Sequence, residues 1–260
     1  MVSALTAELL DYFNACRKEL GDGGAIAEAF RSFTSRMLFS IYSEITFPGL
    51  SIEVEGSEVH VAASKLSESW FAYETLLPIM SVLGFESDRP EKIKSFGNAS
   101  SIQEAIVLHR NFAVAGTPFG KASMFDDDHI TDGYLQVLIE KSIDSFHESI
   151  RSITSVAGAR EKIQGYLIYL EENSIGVQKD LLLLSYNAIT SSVSNATPFH
   201  IMSIAYAVRN QYVHAGEIPA SGIKDLSVKA ALLTACFTFV YQYALIVATQ
   251  LINHSLESSV

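Results

Sequence analysis

The sequence predicts a mainly α-helical protein, an antiparallel helical bundle with one small β-hairpin in its amino-terminal half. Three observations predict it. Apolar residues recur at helical spacing along most of the 260 residues. Capping and breaking residues fall between those periodic runs. One segment, at 51–61, instead alternates polar and apolar with a period of two. Hydrophobic residues make up 48% and charged residues 18%, which describes a globular chain able to bury a sizeable core.

Taken in order, Ser3 is expected to cap a first helix with Leu5, Leu9, Leu10, Phe13 and Leu20 at helical spacing. Gly21-Asp22-Gly23-Gly24 breaks it, and a second helix is expected over 25–45, ended by Phe47-Pro48-Gly49. The hairpin follows, with Ile52 and Val54 before a turn at Gly56 and Val59 and Val61 after it. Helices are expected again over 65–83 and 101–114, where Trp70, Phe71 and Tyr73 read as core. Gly116, Pro118 and Gly120 mark a loop that runs to Asp128 and divides the chain into a helical region, 1–125, and a helical bundle, 126–260. In the bundle, helices are expected over 131–156, 160–173, 177–194, 198–214 and 224–254, joined by short turns. His147 and Glu148 read as surface residues on the first of these.

The net charge of −11 and a pI near 5.1 exclude a general nucleic-acid-coating protein, which carries a basic stripe. Any RNA contact is therefore local, with a few cations in a confined cleft, and DNA is not an expected partner. Cys16 and Cys236 fit no metal-ligand spacing, and reduced thiols with a cytoplasmic location are expected. The first residues carry no basic run before Glu8 and do not read as a signal peptide. The span 230–252 has no charged residue and is long enough to cross a bilayer. Its Thr234, Thr238, Gln242 and Gln250 favour a buried central helix over a tail anchor, because polar side chains in lipid are costly. Asp126-Asp127-Asp128-His129 reads as a solvated loop that caps the next helix, more than as a cation site. With no phosphate-cradling glycine loop, zinc spacing or nucleophile elbow, no metal and no cofactor is expected.

The chemistry concentrates in Arg209-Asn210-Gln211-Tyr212-Val213-His214. Thr197 and Pro198 are good start signals for the helix that carries it. On that helix Ile201, Ile204, Ala205, Val208 and Tyr212 form one apolar face, while Asn210 and His214 lie one turn apart on the other side. Arg209 lies at the edge, and Gly216 and Pro219 stop the helix. A histidine near neutral pKa moves protons, an arginine holds developing phosphate charge, and an asparagine orients either. RNA supplies its own 2′-hydroxyl nucleophile, so the set suits metal-free phosphodiester cleavage. One histidine serves poorly as both acid and base, which makes a second copy of the chain a natural partner. His200, near the helix start, is a candidate for the same cleft. His109-Arg110-Asn111 echoes the motif without its histidine and reads as coincidence.

Arg-Asn-x-x-x-His at the end of a helix, before a short turn and a long last helix, resembles the HEPN superfamily. The spacing of Arg209 and His214 with Asn210 between them is expected by chance at below about 0.01 per chain of this composition. The resemblance covers the motif and, loosely, the helices from about residue 131 onward. It implies a HEPN-like helical bundle that acts as a metal-independent endoribonuclease, with Arg209, Asn210 and His214 as catalytic residues across a homodimer interface. It also implies a defence or stress-response role of toxin–antitoxin type, with an antitoxin or other regulatory protein as partner. Non-catalytic members of the family serve instead as RNA- or protein-binding modules. Toxins of the family silenced on a tyrosine carry it two places after the histidine, where this chain has Gly216. Control of that type is not expected here.

Overall fold

The computed structural model describes residues 3–21, 23–42, 56–76, 79, 133–174, 177–191, 196, 198–214 and 218–257. Helix α1 (Ala4–Leu20) starts at Ser3, whose hydroxyl accepts from the Thr6 amide at 3.1 Å, and ends at Gly21 with φ +73°. Its Leu9, Phe13 and Cys16 repeat every three to four residues and face the interior. Helix α2 (Gly24–Tyr42) follows at once and buries Ala27, Phe30, Phe33 and Met37 on the same logic.

The expected second strand of the hairpin is helical. Helix α3 runs over Ser57–Glu74, and residues 51–55 lie outside the described residues. Val59 and Val61 fit a period of two, but Val59, Ala62, Ala63, Leu66 and Trp70 also fit a helical face, and that face is the buried one. Gly56, in the left-handed region at φ +80°, lets Pro219 pack against its backbone; a Cβ there would lie 2.4 Å from the proline ring. No strand occurs among the described residues. The expected helix over 101–114, the loop to Asp128, Asp126-Asp127-Asp128-His129 and His109-Arg110-Asn111 fall outside them.

Helices α4 (Gly133–Thr154), α5 (Ala159–Glu172), α6 (Val177–Ser191), α7 (Pro198–His214) and α8 (Leu226–Glu257) follow where periodicity and caps place them. Asp225 caps α8, its carboxylate accepting from the Val228 amide at 3.2 Å and from the Lys162 ammonium at 2.6 Å. Those bonds hold its carboxyl well below the usual carboxylate range.

The last helix is the axis of the fold. α3 packs along it more extensively than any other described pair, with α4 and α1 on further sides. Phe239, Tyr243 and Val247 are fully buried, and Tyr243 meets Tyr73 of α3 at a ring distance of 6.0 Å. α8 is long and apolar enough to cross a membrane, yet 78% of its most apolar stretch is buried by its neighbours. Gln242 in its middle donates to Thr6 Oγ1 at 3.0 Å and to Ser3 Oγ at 3.4 Å, so its amide nitrogen has partners inside the fold. α7 packs against α3, α6 and α8, which places the motif beside the carboxyl-terminal half of α3.

His147, expected on the surface, is buried, with Nε2 at 2.9 Å from the Ala196 carbonyl. Phe146 beside it packs on Phe239, so this part of α4 faces α8.

Candidate functional site

α7 buries Ile201, Ile204, Ala205 and Val208, the apolar face expected for it, and Met202, Ser203 and Ala207 as well, so its middle is enclosed on most sides. Arg209 and Asn210 follow where this burial ends, both half-buried. Arg209 Nη1 donates to Asn210 Oδ1 at 2.8 Å. His214 is the last residue of α7, four places after Asn210, so the two backbone positions share one side of the helix. The His214 side chain lies outside the described residues.

Three residues of α3 complete the surroundings of Arg209. The guanidinium carbon lies 4.7 Å from the centre of the Phe71 ring. Nη2 is 3.9 Å from Glu74 Oε2, and both side chains are only 14% exposed. Glu74 Oε1 accepts from the Trp70 indole at 3.0 Å, which holds the carboxylate in place. Trp70 in turn packs on Tyr206 of α7 at 5.3 Å between ring centres. On α2, Arg36 lies 5.5 Å from the same Phe71 ring and pairs with Glu68 at 3.1 Å. Gln211 Nε2 donates to the Asn173 carbonyl at the end of α5 at 2.9 Å, a further anchor for the last turns of α7.

On another side of the helix end, Tyr212 and His60 line a small cavity of about 10 Å³ with Pro219, Leu233 and Lys229. The ring centres of His60 and Tyr212 are 6.3 Å apart. A cavity of that size holds at most about one water molecule. Lys229 is 1% exposed. Its ammonium donates to the Ser221 carbonyl at 2.8 Å and lies 4.6 Å from the centre of the Tyr166 ring. Gly222, at φ +71°, approaches the same aromatic pair, and a Cβ there would meet Tyr166 and Tyr169 at 2.7 and 2.8 Å. The turn after the motif is thus held from α3, α5 and α8 together.

His200 does not join the motif. Nine residues of helix separate it from Arg209, about 14 Å along the axis. Burial lowers its imidazole pKa to about 4, so it is neutral at physiological pH. The structure therefore brings Arg209 and Asn210 together and adds Glu74, Phe71 and Trp70. Sequence reading placed Trp70 and Phe71 in the core but did not single out Glu74, whose one local signal was its i,i+4 spacing from Trp70. No group of three or more metal-ligating side chains occurs among the described residues.

Arg209 can do two things in this setting. Its Nη1 edge, held by Asn210 Oδ1, belongs to a planar guanidinium whose paired donors match two oxygens of a phosphate or carboxylate. Its edge turned toward Glu74 is occupied by a carboxylate, at the outer limit of ion-pair distance. Comparison of the chain with protein families, with curated proteins and with solved structures finds no match.

Proposed function

We propose that this chain is a HEPN-like, metal-independent endoribonuclease, with its catalytic bundle over 126–260. The observation that supports it is the hydrogen-bonded Arg209–Asn210 pair at the end of α7, one turn before His214. In this reading His214 takes the proton of a 2′-hydroxyl as the oxygen attacks the adjacent phosphorus. The bond to the 5′-oxygen breaks, and His214 of a second copy of the chain returns a proton to that oxygen. The products are a 2′,3′-cyclic phosphate and a 5′-hydroxyl. Arg209 binds the phosphate oxygens as charge builds on them, and Asn210 holds the guanidinium plane. A homodimer in the cytoplasm, restrained by an antitoxin-like protein in a defence or stress response, completes the proposal.

The test is cleavage of labelled RNA in excess chelator. The wild-type chain should leave cyclic phosphate ends, and His214→Ala should cut about 10²–10⁴-fold more slowly. Equal rates for the two proteins, or loss of cleavage on chelation, would overturn the reading.

A second reading is a non-catalytic helical module, and one observation favours it. Arg209 is 14% exposed between Glu74 and Phe71, as a residue tying α7 to α3 would be. That reading predicts Arg209→Ala to lower stability in a chain that cuts no RNA at all.

A further inference from the structure

Far from the motif in sequence, α1 and α2 border an open groove of about 670 Å³. Three cations line it: Arg17 and Lys18 from the last turn of α1, and Arg31 from the second turn of α2. Asn14, Thr34 and Ser35 supply hydrogen-bonding groups between them, and none of the described lining residues is acidic. The chain as a whole has 29 acidic and 18 basic residues, so this local surplus runs against its composition.

These cations also have local roles. Arg17 donates to the Gly21 carbonyl and, with Lys18, complements the negative end of α1. Arg31 pairs with Glu28 on its own helix, where the two side chains are 47% and 70% exposed. Exposed pairs of this kind are weak, and a guanidinium has five donors. An anion in the groove competes at Arg31 with an exposed pair of this weak kind.

The same side of α2 continues past the groove into exposed apolar surface. Leu38 lines the groove, Phe39 is 56% exposed and Tyr42 is 70% exposed. From Arg31 to Tyr42 the helix advances about 16 Å. Cations, then hydrogen-bonding groups, then exposed planar rings lie along one path.

We propose that this groove binds the backbone of a single RNA strand, with its phosphates on Arg17, Lys18 and Arg31 and its bases stacked on Phe39 and Tyr42. Single strands are held in this way by cations tracking the backbone and aromatic rings under the bases. The choice of RNA as occupant rests on the ribonuclease reading; the anionic character of the ligand rests on the groove alone. Cations followed by exposed rings over about 16 Å of α2 suit an extended strand. The site gives an acidic chain the local cationic contact that RNA binding requires of it.

The experiment titrates a labelled twelve-nucleotide single-stranded RNA into the full chain carrying His214→Ala, which prevents cleavage, and follows anisotropy over a range of salt. Replacing Arg17, Lys18 and Arg31 by Ala should weaken binding at least 30-fold at low salt. It should also flatten the slope of log K against log salt by about 2. Phe39→Ala should weaken binding about tenfold. The conservative change of both arginines to Lys should keep most of the affinity, and Lys224→Ala, on an exposed turn elsewhere, should keep all of it. If the triple variant melts early, Arg31→Glu alone should weaken binding without loss of helical signal. Unchanged binding in both variants overturns the proposal. So does binding of phosphatidylserine vesicles through these residues with no affinity for the RNA. Groove-dependent binding by a wild-type chain that never cuts RNA supports the groove and removes the enzyme. Unaltered binding beside His214-dependent cleavage removes the groove and leaves the enzyme.

Discussion

Arg209 and Arg31 each pair with a glutamate, yet the two pairs belong to different kinds of region. The Arg209–Glu74 pair is 14% exposed on both sides, spans α7 and α3, and is enclosed by Phe71, Trp70 and Asn210. The Arg31–Glu28 pair lies within one helix and is largely in water. In the first, water has been replaced by fixed partners, so removing one partner leaves the other poorly solvated. In the second, water replaces a lost partner almost completely. Lys229 extends the first group, with a carbonyl and an aromatic ring in place of a solvent shell. Arg209 and Lys229 are thus interior ties and Arg31 a solvated contact, and stability measurements should separate them.

The largest effect is expected at Lys229. Lys229→Ala removes a fully buried side chain and its bond to the Ser221 carbonyl, and should cost about 4 kcal/mol in urea unfolding. A cost below about 1 kcal/mol would move Lys229 out of the interior group. Acid should act next, through His200. Its folded pKa, about 4, lies below the unfolded value near 6.5, so the unfolded chain binds the proton first. Stability is full above about pH 6.5 and falls as pH drops toward 4, by on the order of 3 kcal/mol. His200→Phe should flatten that part of the pH–stability curve; an unchanged curve would contradict the assignment.

Arg209→Ala should cost about 2 kcal/mol, because Glu74, only 14% exposed, loses the positive charge it faces. Glu74→Gln keeps the Trp70 bond and removes the carboxylate from Arg209. In the ribonuclease reading it should leave cleavage intact or raise it, while a scaffold shows only the loss of stability. At the small end, Glu28→Ala should change stability by less than about 0.5 kcal/mol. An equal cost for Arg209→Ala and Glu28→Ala would erase the distinction between the two regions.

Most helix limits were legible because local chemistry sets them. Ser3 caps α1, Gly21 ends it, and Ile201, Ile204 and Val208 bury one face of α7, all from neighbours within a few residues. The errors arise where distant partners decide. Gly56 reads as a hairpin turn until Pro219 packs against it, and His147 reads as surface until the Ala196 carbonyl reaches it. At the candidate site the hexapeptide is visible in the sequence, but the glutamate facing Arg209 is 135 positions away. The groove was illegible for the same reason: Lys18 and Arg31 are unremarkable until two helices bring them to one depression.

Gln242 bears on how the chain reaches this state. It holds Ser3, the cap of α1, and Thr6 in its first turn across more than 230 positions. α3 likewise buries its aromatic face against α8, the last described helix. During synthesis the early helices therefore leave the ribosome without the surface that covers them. Trp70 and Tyr73 wait in contact with solvent or chaperone until more than 150 further residues are made. Such long-range closure slows folding and lengthens exposure to aggregation. Chains stopped before α8 should accumulate as insoluble or chaperone-bound material, and supplying α8 in trans should recover part of the soluble fraction.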